Sequence, residues 1–111
     1  MYEDHDLVYL SGAISNRTPA EAKAHFKEVQ NQLTGAGYTV VNPMVIETND
    51  WFEGMKQCIK KLVDCNYVFM LNGWQDSRGA LIERTLAMEL NIPVVYEDKD
   101  PFNLTPKRID G

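Results

Sequence analysis

The chain has 111 residues, room for one domain around one core. Its 44% hydrophobic and 24% charged residues are the composition of a globular protein and argue against disorder. A net charge of −5 without a basic stripe argues against nucleic-acid polymers as partners. No apolar run approaches the roughly 20 residues of a membrane helix, and Met1-Tyr2-Glu3-Asp4 is unlike a signal peptide, so no membrane partner and a cytoplasmic location are expected. Cys58 and Cys65 lie seven residues apart in one helical stretch. At about 1.5 Å per residue that is roughly 10 Å, too far for a disulfide. No Cys pair or His cluster suggests a zinc site, and His5 and His25 read as isolated, with His25 on a helix surface. No metal and no cofactor are expected.

Leu7-Val8-Tyr9-Leu10 is a short apolar run ending at Gly12, a buried strand entering a tight loop. Thr18-Pro19-Ala20-Glu21 is a capping box with proline at the first helical position. Phe26, Val29 and Leu33 continue one helical face, which Gly35 and Gly37 end. Tyr38-Thr39-Val40-Val41 is the second strand, closed by Asn42-Pro43. A second helix runs from about Trp51 to Asp64, with Trp51, Met55, Ile59 and Leu62 as its apolar stripe. Tyr67 to Leu71 is a third strand, apolar throughout, as expected for a sheet covered on both faces. A loop from Asn72 to Asp76 leads to a third helix over about Gly79 to Leu90. Asn91-Ile92-Pro93 turns into the strand Val94-Val95-Tyr96, and the remainder is a polar tail.

This βαβαβαβ order predicts a single-domain α/β three-layer sandwich over residues 1–97, with a mostly parallel sheet of four or five strands, followed by the tail 98–111. Ligands of such sheets lie beyond the C-terminal strand ends, near the topological switch point. The candidate site is therefore built from Gly12 to Arg17, Asn42 to Thr48 and Asn72 to Gly79.

Glu83 is the first candidate for chemistry. Early in the third helix its carboxylate gains about 0.3 to 1 kcal/mol from the helix dipole. An ionised carboxylate so placed suits attack on a sugar anomeric carbon, while the alternative is an acid that merely stabilises the helix. Ser77, Arg78 and Gly79 combine a hydroxyl, a guanidinium and free helix N–H groups into an anion cluster, against a plain N-cap and a solvated charge. Gly12 suits a backbone turning beneath a ligand, although no dinucleotide fingerprint is present. Trp74 and Trp51 flank site loops as stacking residues or core anchors.

Together these segments resemble the nucleoside 2-deoxyribosyltransferases and the related 2′-deoxynucleoside 5′-phosphate N-hydrolases. The resemblance spans roughly residues 7 to 97. It rests on Val8-Tyr9-Leu10-Ser11-Gly12, on Cys65 to Leu71, and on Gly79-Ala80-Leu81-Ile82-Glu83. It is nearest to small members, many from phages, that carry Gly-Trp-x-x-Ser-Arg-Gly-Ala before a glutamate, here Gly73 to Glu83.

The resemblance implies Glu83 as the nucleophile and Ser77 as a phosphate-binding serine. Ligand contacts are then expected from Gly12, Ser15, Arg17, Asn42, Trp74, Asp76, Arg78 and Gly79. A second catalytic aspartate of the family falls at Cys58, and Arg84 follows Glu83 where the enzymes have glycine. The expected activity is binding of a nucleoside or nucleotide, such as a nucleoside 5′-monophosphate, with cleavage or transfer at its N-glycosidic bond. The competing expectations are a nucleotide-binding protein without turnover, such as a phage protein sequestering a host nucleotide signal in the host cytoplasm, and a structural role with a vestigial pocket. Family members associate through helices beside the site, which implies a homo-oligomer.

Overall fold

A computed structural model of the chain describes residues 7–14, 17–45 and 48–99. Ser15 and residues 100–111 of the tail lie outside these. Strand β1 (Leu7–Ser11), helix α1 (Pro19–Gly35), β2 (Thr39–Val41), α2 (Trp51–Leu62), β3 (Tyr67–Met70), α3 (Arg78–Glu89) and β4 (Val94–Tyr96) follow in that order. Single 3₁₀ turns over Pro43–Val45 and Trp74–Asp76 occupy two of the connections. The four strands form one all-parallel sheet in the order β2-β1-β3-β4.

Alternation along β1 decides which residues meet which layer. Val8 and Leu10 join Phe26, Val29 and Leu33 of α1 in one core cluster, with Phe69 and Leu71. Tyr9 belongs to a second cluster on the opposite face, with Leu62 at the end of α2, Ala80 and Ala87 of α3, and Val68 and Met70. One helix covers one face and two cover the other, so the chain is a three-layer α/β sandwich. Every residue of β3 is buried, as its uninterrupted apolar run requires of a strand covered on both sides.

The helix ends follow local chemistry. Thr18 caps α1 through the Glu21 N–H, and Glu21 reaches back to the Thr18 N–H. Gly37 adopts φ +102° at the far end, where the Gly37 and Tyr38 N–H groups donate to Thr34 and Leu33 carbonyls. Asn91 (φ 62°) closes α3 in the same way through Met88 and Ala87. Asp50 caps α2, which stops at Leu62, two residues short of the expected end.

The stripe on α2 differs from the expectation. Only Leu62 is fully buried, Met55 and Ile59 are half-buried, and Trp51 is exposed. The N-terminal half of α2 faces a cavity instead of the core, which explains an apolar stripe that never becomes dry. Among the described residues no helix is long and apolar enough to cross a membrane.

Candidate functional site

The chain leaves β1 through α1 towards β2, and leaves β3 through α3 towards β4. The strand order reverses between β1 and β3, so a crevice opens beyond their C-terminal ends. A cavity of about 190 Å³ lies there, lined by Tyr9, Gly12 and Ile14 from β1 and its loop. Trp51, Gly54, Met55 and Cys58 of α2 line it, as do Ser77, Gly79, Ala80 and Glu83.

Glu83 is 5% exposed and both of its oxygens are held. The Tyr9 hydroxyl donates to Oε2 at 2.8 Å and the Ser11 hydroxyl to Oε1 at 2.7 Å. These donors sit two apart on β1, on the face turned to α2 and α3. Burial pushes the Glu83 carboxyl up from 4.5 to about 7, although both hydroxyls pull it down. The helix-dipole gain expected for this residue is thus outweighed by desolvation, since a displacement of that size is worth roughly 3 kcal/mol. The half-buried Cys58 thiol lines the cavity together with the Tyr9 hydroxyl. Burial raises the Cys58 thiol and, together with the Glu83 charge, carries the Tyr9 hydroxyl far above its usual range. At neutral pH the cavity floor is therefore a phenol, a thiol, an alcohol and a carboxyl group poised near half-ionisation.

Ser77 caps α3, its hydroxyl accepting from the Ala80 N–H at 3.2 Å, and it still borders the cavity with a hydroxyl proton to give. Gly79 lies where α3 passes α2, and an added Cβ would come within 3.1 Å of the sulfur of the flexible Met55 side chain. Gly12 passes under the site so tightly that a Cβ would lie 3.0 Å from the Leu71 Cβ.

The other expected ligand contacts that are described do not line the cavity. Arg78 is exposed, with its guanidinium 4.2 Å from the centre of the Trp51 ring. Trp74 packs against Tyr96, and Arg84 extends along both rings to bond the Tyr96 hydroxyl. Asn42 bonds Gln30 and the Met44 N–H, and Asp76 is exposed. Arg17 donates to His25 Nδ1 at 3.1 Å and to the Glu21 carbonyl.

His25 is not the isolated surface residue its helix position suggests. It is half-buried and also bonds Glu97, whose Oε1 accepts from the Asn72 N–H at 2.8 Å. With Arg17 donating to Nδ1, Nε2 carries the proton given to Glu97. This chain of bonds ties together the connections that follow β1, β3 and β4. Cys58 and Cys65 are both free thiols.

Tyr9 and Ser11 escaped the sequence reading. Their signal is a hydroxyl pair at strand spacing, in a strand whose alternate residues are Val8 and Leu10.

The fold and this crevice define a parallel α/β domain with a buried, hydroxyl-held glutamate at its topological switch point. Residues 6–96 match the family model described as "Domain of unknown function (DUF4406)", and the chain belongs to that family. No curated protein matches it.

Proposed function

We propose that the chain binds a nucleoside or nucleotide over the Glu83 cavity and cleaves or transfers at its N-glycosidic bond. The carrying observation is Glu83, set at the cavity floor with both oxygens oriented by Tyr9 and Ser11. In this reading the ionised carboxylate attacks C1′ as the bond to the base breaks. The base leaves with the bonding electrons and takes a proton from water, and water or a second base then resolves the glycosyl-enzyme. The cavity volume of about 190 Å³ is below the roughly 300–1,000 Å³ of most small-molecule sites. It suits the sugar ring, with base or phosphate emerging beside Trp51, where Arg78 lies over the ring. Exposed Phe52, Leu81 and Ile82 on α2 and α3 supply apolar surface for the homo-oligomer in this reading.

Cys58 favours a second reading, binding without turnover. A thiol held in protonated form is a poor substitute for the carboxylate that the resemblance places there. The test is incubation with a panel of nucleosides and nucleoside 5′-monophosphates, with free base measured by chromatography. Melting temperatures are recorded on the same samples, since ligand binding to the native state raises them. Base release by the wild type and none by Glu83→Ala is the expected result. A ligand that raises the melting temperature and is never cleaved overturns the glycosidase reading in favour of sequestration.

A further inference from the structure

A second and larger groove lies on the rim of the sheet, away from Glu83. Its volume is about 670 Å³, and it runs beside β2, which among the described residues has a strand neighbour on one side only. Lys23 and Lys27 of α1 border it from one layer and Lys61 of α2 from the other. Val40 and Val41 form its floor, and Gln30, Asn42 and Met44 complete it.

The polar lining is one-sided. Among the described residues three lysines line this groove and no carboxylate does, in a chain whose net charge is −5. Gln30 and Asn42 do not reverse that balance. The Gln30 carbonyl is taken by the Asn42 amide at 3.0 Å, and the Asn42 carbonyl by the Met44 N–H at 2.9 Å, leaving amide N–H groups to give. An occupant must therefore bring negative charge. The open edge of β2 adds alternate backbone donors and acceptors of the kind an extended segment completes. A second copy of this chain docking edge to edge would set these lysines against their own equivalents, so charge excludes self-association here.

We infer that the β2 rim is a docking groove for an acidic, extended peptide segment of another protein, bound by strand addition to β2 between Lys23, Lys27 and Lys61. Carboxylates at alternate positions would meet Lys23 and Lys27 on the α1 face, a carboxylate at an adjacent position would meet Lys61 on the α2 face, and backbone pairing with β2 fixes direction.

The probe is a fluorescein-labelled peptide of alternating glutamate and valine, titrated with the full chain and read by anisotropy. Binding that weakens at least tenfold in a Lys23→Glu/Lys27→Glu variant, and weakens steeply with salt, is expected. These lysines are exposed on α1, so the variant keeps its fold, which circular dichroism checks. The same peptide N-methylated at alternate amides cannot pair with a strand and should lose most of its affinity without any change to the protein. Equal binding of the N-methylated peptide, or competition by inorganic tripolyphosphate at matching concentration, would overturn strand addition in favour of a simple polyanion site. No binding at low salt would leave the lysines as guards that keep the edge from pairing, and would equally overturn the inference. None of these outcomes bears on Glu83.

Discussion

Glu83→Gln should remove a defined pH dependence from the stability of the fold. In the folded protein the carboxyl ionises at about 7, against 4.5 as its ordinary value, because it is almost fully buried. Between these two pH values the unfolded chain is ionised at this position while the folded chain keeps its proton. The folded state binds the extra proton, so stability falls as pH rises through this window. The contribution is fully present below about pH 4.5 and lost as pH climbs through about 7. At about 1.36 kcal/mol per pH unit the span amounts to roughly 3 kcal/mol. That is a sizeable part of the roughly 5–15 kcal/mol typical of a domain. Glutamine is close to isosteric, and its amide can still serve the hydroxyls of Tyr9 and Ser11, which turn to accept where needed. Urea unfolding followed by fluorescence of Trp51 and Trp74, at intervals from pH 4.5 to 8, reads both proteins. Subtracting one curve from the other cancels every other titrating group. The wild type should lose roughly 3 kcal/mol relative to the variant over this range, about 2 M in urea midpoint at a typical slope. A difference that is flat with pH, or one that favours the wild type as pH rises, would refute burial as the force acting on Glu83.

Two glycines should respond in opposite directions. Gly12→Ala places a methyl 3.0 Å from the Leu71 Cβ and 3.4 Å from the Phe26 ring, both fixed core atoms, and should cost about 1–3 kcal/mol in urea unfolding. Gly79→Ala meets only the sulfur of the half-buried, flexible Met55, so the helical preference for alanine, up to about 1 kcal/mol, should offset the contact and leave the melting temperature unchanged or raised. Cys58→Asp should leave the domain folded, since Cys58 is only half-buried and borders the cavity, and should raise base release by about 10²–10⁴-fold under the glycosidase reading. Retained stability with no gain in release would count against a proton-transfer role at that position.

The architecture was legible because its signals are local. The Thr18 capping box, the apolar face Phe26-Val29-Leu33 and the all-apolar third strand each follow from a few neighbouring residues. The βαβ rhythm then leaves little choice of topology. For the site, Gly12, Cys58, Ser77, Gly79 and Glu83 come together at one cavity. The directions of Arg17, Asn42, Trp74 and Arg78 depend on His25, Gln30, Tyr96 and Trp51, distant or cross-element partners that no spacing rule supplies. Tyr9 was hidden differently, since a tyrosine inside an apolar run counts as core until its hydroxyl acquires an acceptor 74 positions away. For Glu83 the helix dipole is visible in the sequence, whereas the desolvation that pulls its carboxyl the other way is not.

Strand β1 gives its odd and even residues to different tasks. Val8 and Leu10 hold α1, while Tyr9 and Ser11 hold Glu83. Parity therefore acts as an error check on the molecule. A slip of one residue in β1 would push two hydroxyls into the α1 core and two aliphatic chains under the carboxyl, so the misfolded form would lose its packing and its site together. Evolution faces the same restriction. An insertion within Leu7–Ser11 would break the phase of the strand, whereas residues on either face can be exchanged one at a time. Stability and chemistry can thus be tuned separately along five consecutive residues, provided that the register between them never moves.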